Sequence, residues 1–265
     1  MTTMTLKAGL KKESMFFWRT FRSAGVLIAF AYAAFVDTLL IRMLPALLRQ
    51  MPAESTAGLS AYMTLDIRLG MTSFVGDITQ IGLLVLLLCL MAAAGGEQKK
   101  KSTILPQVSG LTPTEYVLPK FIYFPALALC AVFVFTLLAY GFCTVLFQDT
   151  LPIGDVLVTA LCLGLYMAFL TSLLLTFGLS TGKAGIGVAV VCAFAAIMTS
   201  ILNALDVNRY NPFALYRIAA GLSGGPAVEV IVTILITVVL IGLLALLTIG
   251  VLWDKKVDNR GSERL

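Results

Sequence analysis

Residues 95–120 read GGEQKKKSTILPQVSGLTPTEYVLPK, and they interrupt two apolar runs. GLLVLLLCLMAAA closes at Ala94 before them, and FIYFPALALCAVFVF opens at Phe121 after them. The flanks carry no charge, whereas the insert is studded with lysine and punctuated by proline. A polar connection between two membrane-spanning helices has this form, and the rest of the chain has the composition to match. Of its 265 residues, 59% are hydrophobic and 12% charged, against about a quarter charged in soluble domains. Such a chain belongs in a bilayer, where each spanning helix needs about 20 mostly apolar residues.

Six such runs are expected as spans, over residues 23–44, 74–94, 121–147, 156–179, 184–205 and 230–253, and the last four contain no Asp, Glu, Lys or Arg. The runs are too long and too continuous for strands. Helices satisfy their own backbone polar groups in lipid. The expected fold is therefore an all-α polytopic membrane protein, a single transmembrane domain over residues 1–265. Its flanking pieces are an opening segment 1–22, the insert 95–120 and a tail 254–265. The opening segment is basic, and the apolar run behind it is too long for a cleavable signal peptide.

Lysine and arginine set the orientation. With the N-terminus inside, the inner segments hold Lys7, Lys11, Lys12, Arg19, Arg22, Lys99, Lys100, Lys101, Lys120, Lys183, Lys255, Lys256, Arg260 and Arg264. The outer side holds only Arg42, Arg49, Arg68, Arg209 and Arg217, so the split is fourteen against five. Both termini and the insert are expected in the cytoplasm, with the protein in the cell membrane. Lys99, Lys100 and Lys101 serve at the least to hold the insert inside.

Local signals add detail. Thr112-Pro113-Thr114-Glu115 matches a capping box with proline at the first helical position, and Gly110 permits a sharp entry. Pro119 is expected to limit or kink this helix before the third span begins, giving a short helix parked beside the membrane. ESMFFWRTFRS, residues 13–23, reads either as an interfacial helix, aromatics in the headgroups and arginines toward phosphate, or as a simple continuation of the first span. Asn211 and Pro212 are placed to start a short outer helix ending near residues 221–225.

Few polar groups lie in the spans. Asp37 and Arg42 interrupt the first, at a cost of about 2.5–3.5 kcal/mol each if central. Five positions apart, they sit about 140° around the helix and pair poorly, so this span should face protein or water rather than lipid. Asp77 lies near the outer end of the second span, where it either starts the helix or sits at the interface, or else joins Asp37 on a solute path or in interhelical hydrogen bonds.

Other chemistry is thinly represented. The chain has no histidine, which removes imidazole acid–base and metal chemistry. Its five cysteines, Cys89, Cys130, Cys143, Cys162 and Cys192, lie in apolar runs without a CxxC and read as small hydrophobes. GLSTGKAG, residues 178–185, has three residues between its first Gly and the Gly-Lys pair and Ala184 behind it. A phosphate-binding loop needs four and a Ser or Thr, so this is a tight turn anchored by Lys183. The net charge of +5 comes from inner-face anchoring and implies no nucleic-acid partner. No internal repeat stands out. A membrane enzyme lacks its constellation, and an ATPase-independent carrier or channel remains as an alternative to an energised permease.

The stretch LMAAAGGEQKKKSTILPQVSGLTPTEYVLPKFI resembles the signature of the type-2 family of ATP-binding-cassette exporter permeases. Glu97, Ser109, Glu115 and Lys120 match its order: an acidic residue after the second span, a Ser or Pro after leucines, a Glu, and the Lys opening the third span. Pro119 replaces the usual Gly before Lys120, Thr112 and Pro113 stand where Ser and Arg are common, and Ser102-Thr103 replaces Gly-Thr. NPFALYRIAAG also resembles the family's segment before its last span.

The resemblance implies that the insert carries a coupling helix docking on a separate ATPase, through candidates Glu97, Lys99, Lys100, Lys101, Thr112, Pro113, Glu115, Tyr116 and Lys120. ATP and magnesium would be held by that partner, in two copies per complex, and no cofactor by this chain. A second permease copy, or a related permease, would complete twelve spans. The cargo would be a hydrophobic or amphipathic solute, with Asp37, Arg42 and Asp77 as candidates for its path.

Overall fold

The computed structural model describes residues 3–48, 66–96, 112–204, 209–222 and 226–262. Among the described residues every regular element is helical. Six helices are long and apolar enough to cross a membrane: span 1 Arg22–Met43, span 2 Ile67–Gly95, span 3 Pro113–Phe147, span 4 Ile153–Thr181, span 5 Ala184–Leu202 and span 6 Ala227–Asp254. The chain is thus built as a multi-pass membrane protein, as its apolar runs require.

Span 4 is the axis of the bundle. In its most apolar stretch 78% is enclosed by the rest of the chain, against 22% for spans 5 and 6. Leu163, Met167, Leu170, Leu174 and Leu175 are fully buried along it. Spans 5 and 6 turn Ile186, Val190, Ile197, Leu235, Val239 and Leu246 outward, the apolar surface that a hydrocarbon solvent demands.

Two ends of the bundle can be told apart by their contacts. One, here the loop face, gathers the N-terminal helix, the end of span 2, the start of span 3 and the turn from span 4 to span 5. That turn closes tightly, with Gly182 at φ 72° and its N–H donating to the Gly178 carbonyl at 2.9 Å. At the opposite face span 3 ends at Phe147, with Gln148 left-handed, and Tyr140 donates to the Leu151 carbonyl at 2.9 Å.

A short helix, Ala214–Gly221, also lies at the opposite face. Asn211 Oδ1 accepts from the N–H groups of Phe213 (2.9 Å) and Ala214 (3.1 Å), the cap expected of it. Arg217 pairs with Glu229 and so ties this helix to span 6.

The opening segment resolves in favour of a separate element. An N-terminal helix, Thr3–Trp18, ends in a break over residues 19–21, and span 1 starts afresh at Arg22. Trp18 and Phe21 project outward at the break, Phe21 almost completely. Spans 1 and 2 carry three π-helical turns, Tyr32–Asp37, Ile78–Gly82 and Ala92–Gly96. Such turns recur where a helix serves a site.

Two expectations are corrected. Span 2 begins at Ile67 rather than residue 74, capped by Asp66, whose Oδ1 accepts from the Arg68 N–H at 2.7 Å. Asp77 therefore does not start the helix; it is the last residue of the α-helical segment Ile67–Asp77, half-buried within the span.

Second, Pro119 does not separate a surface helix from span 3. One 35-residue helix runs through Pro119 and Pro125 from Pro113 to Phe147. An internal proline costs about 3 kcal/mol by removing a backbone bond, but a transmembrane helix tolerates it where neighbours pack on the freed turn. Here the Pro119 ring is buried against Gly9, so closely that a Cβ on Gly9 would lie 2.5 Å from its Cγ.

Span 1 is only partly enclosed by its own chain: Val26, Phe30, Ala33 and Ala34 are buried, while its other side is open. Leu27, Ile28, Tyr32, Phe35, Leu39, Leu40 and Met43 are all exposed.

Candidate functional site

The start of span 3 is built by the capping box its sequence calls for. The Thr112 N–H donates to Glu115 Oε2 at 3.0 Å, and the Glu115 N–H donates to Thr112 Oγ1 at 3.4 Å. Two orphan amides of the first turn are thereby satisfied, Pro113 presets the backbone, and the Glu115 carboxylate sits against the positive end of the helix. Thr112→Ala is expected to cost about 1 kcal/mol, read as a lowered thermal midpoint of the purified protein. Thr112→Ser should be neutral.

One turn further in, span 3 meets the N-terminal helix. Lys120 is fully buried, and its Nζ lies 3.0 Å from Glu13 Oε1, itself only 3% exposed. The same ammonium donates to the Ala93 carbonyl at 3.2 Å. Ala93 lies in the terminal π-helical turn of span 2, where carbonyls run out of partners within the helix. Tyr116, four residues before Lys120 and on the same helical face, places its ring 5.2 Å from Lys120 Nζ and 5.7 Å from Lys12 Nζ. Lys12 also stands 3.6 Å from Glu13 Oε1, half exposed. Glu13 Oε2 is buried without a hydrogen-bond partner among the described residues.

This cluster binds three elements into one block: the N-terminal helix through Glu13, span 2 through Ala93, and span 3 through Lys120. Its net charge is one positive, and it contains no nucleophile beside a base. Its contacts hold the three elements together.

The residues read from sequence fall into separate groups. Thr112, Pro113, Glu115, Tyr116 and Lys120 come together at this one helix start. Lys120 faces inward, Pro113 is buried, and Glu115 is turned back to its cap. Glu97, Lys99, Lys100 and Lys101 lie outside the described residues. Arg42 is exposed at the far end of span 1, the backbone of Asp37 closes the π-helical turn Tyr32–Asp37, and Asp77 lies half-buried on span 2.

Glu13 escaped the sequence reading. It lay within ESMFFWRTFRS, a segment read for its aromatics. An acidic residue in the midst of Lys7, Lys11, Lys12 and Arg19 was the available signal that one carboxylate there has a job. Among the described residues, no group of histidine, cysteine or acidic side chains is arranged to hold a metal ion.

No family model, curated protein or solved structure matches this chain.

Proposed function

We propose that this chain is the membrane-spanning permease subunit of an ATP-binding-cassette exporter, moving a hydrophobic or amphipathic solute outward. A separate ATPase, in two copies, would dock at the loop face and hold the ATP and magnesium. A second permease copy or a related permease would complete the pathway, and both termini would be cytoplasmic.

The observation that carries this reading is the rigid start of span 3. A helix seeded by a full capping box and pinned by Glu13–Lys120 to two neighbours moves as a unit. A force applied to residues 95–120 would therefore reach spans 2 and 3 together, where a slack loop would absorb it. The lysine cluster and Glu97 sit in the same stretch of sequence. The open apolar side of span 1 suits a second permease copy.

The test is purification of the tagged full-length chain from its own membranes. A nucleotide-hydrolysing subunit should accompany it in equal number, Glu97→Ala should weaken that complex, and solute movement in vesicles should require ATP. Transport by the chain alone down a gradient, or labelling of residues 97–111 from outside the cell, overturns the proposal.

A further inference from the structure

Spans 2, 4 and 5 and the short helix Ala214–Gly221 frame an open-sided cavity of about 480 Å³, with Gln80, Leu84 and Ser200 exposed at its edge. It runs from the middle of the bundle toward the opposite face. Its walls include Tyr166 on span 4, Tyr216 on the short helix, Thr79 and Gln80 on span 2, and Thr199 and Ser200 on span 5. We propose that this cavity is a binding site for an uncharged, ring-bearing amphiphile that carries an N–H or O–H donor. The site goes beyond the permease reading, since binding there needs no ATPase.

Size comes first. The volume falls within the range of small-molecule sites, about 300–1,000 Å³. It suits a ligand of two or three rings and is far too small for a whole two-chain phospholipid.

Charge comes second. Among the described residues, none that lines it is acidic or basic. A charged ligand would lose its hydration without gaining a counter-ion, which is costly at membrane depth.

The hydrogen-bonding face follows from where the hydroxyl protons already go. Thr79 donates to the carbonyls of Val75 and Gly76, both at 2.8 Å. Thr199 donates to Ala195 at 2.8 Å and Ser200 to Ala196 at 2.9 Å. A hydroxyl has one proton and two lone pairs, so these side chains offer the cavity acceptors. Tyr166 lines the same wall. The acceptors on Thr79, Thr199 and Ser200 suit a ligand that donates.

The aromatic wall is held in advance. The Tyr166 and Tyr216 rings lie 6.0 Å apart and tilted by 34°. Phe213 braces Tyr166 edge-on at 6.2 Å and is itself met by Phe169 and Phe194. A flat ring can lie against such a wall with little reordering of side chains. Thr79 and Gln80 belong to the π-helical turn Ile78–Gly82, an irregularity typical of functional positions in helices.

Cys192, half-buried in the cavity wall, provides the readout. The full chain in lipid nanodiscs is treated with N-ethylmaleimide, and modification of Cys192 is followed on its own peptide by mass spectrometry. The probes are N-phenyl-1-naphthylamine, which is neutral with one N–H, and 8-anilino-1-naphthalenesulfonate, the same ring system carrying a sulfonate. The neutral amine at ten times its dissociation constant should slow labelling about tenfold, and the sulfonate should leave it unchanged. Tyr216→Phe should keep the protection and Tyr216→Ala should lose it, with Val145→Ala on the lipid-facing side as a control that keeps it.

Equal protection by both probes, or by neither, overturns the proposal, as does protection that survives Tyr216→Ala. Protection by oleate without protection by the amine gives the cavity to an acyl chain and overturns it too. An ATPase that fails to co-purify would sink the permease reading and leave these results standing.

Discussion

Lys120→Met is expected to destabilise the folded chain by about 3–5 kcal/mol, the usual result of removing one member of a buried ion pair. The loss is not that of one attractive contact. Lys120 supplies the ammonium at 3.0 Å from Glu13 and the donor at 3.2 Å from the Ala93 carbonyl. Without it Glu13 stays buried, one oxygen already lacking a hydrogen bond among the described residues, with half-exposed Lys12 at 3.6 Å to offset its charge. Burying an unpaired carboxylate is far more costly than never having had the pair. Glu13→Leu combined with Lys120→Met should therefore recover most of the loss, because an apolar pair of similar volume often replaces a buried ion pair at little cost. The Ala93 carbonyl loses its donor in both variants, so recovery will be incomplete. Reversible unfolding of the four proteins in lipid or detergent, followed by helix signal, gives the coupling energy directly. A double variant whose loss equals the sum of the two single losses would show that the two charges do not depend on each other.

Most of the architecture was legible because it is written locally. Six apolar runs of spanning length can do little else in a chain this hydrophobic. The capping box at Thr112 and the Asn211 cap each lie within four residues, and both formed. What was not legible depended on residues far apart in the chain. Glu13 and Lys120 have no shared sequence signature; the packing of Gly9 on Pro119 and of Phe17 on Phe124 brings their helices together.

Pro119 was misread for a related reason. As a local signal it stops a helix, but a buried neighbour over the ring lets the helix continue. Asp77 was misplaced because the apolar count began at Phe74. The helix itself begins at Ile67, behind the Asp66 cap and seven residues before that apolar run. The cavity left no mark at all: Thr79-Gln80 and Thr199-Ser200 are two short polar pairs diluted in apolar runs, and only the bundle gathers them.

Gly178→Leu is the second change expected to have a large effect, and it tests whether the loop face acts as one block. A Cβ at Gly178 would lie 2.7 Å from Ala94 Cβ and 2.9 Å from the Ala94 carbonyl oxygen. The obstacle is mostly backbone, so no rotamer change relieves it. Span 4 is the most enclosed helix and Ala94 is fully buried, which leaves span 2 as the element to be displaced. Overpacking costs about 1–3 kcal/mol where side chains can yield, and more is expected here. Gly141→Leu is the matched control: nothing lies within 4 Å of its added carbon, and a change of about 0.5 kcal/mol or less is expected.

The consequence reaches beyond the clash. Span 2 displaced at Ala94 carries the neighbouring Ala93 carbonyl with it, away from Lys120 Nζ. Gly178→Leu and Lys120→Met should then partly remove the same interaction, and their combined loss should fall short of the sum. Strict additivity would mean that the contact of spans 2 and 4 and the Glu13–Lys120 pair are independent. In that case a push on residues 95–120 would stop at span 3 instead of being shared with span 2, and the mechanical argument for a docked ATPase at this face would lose its support.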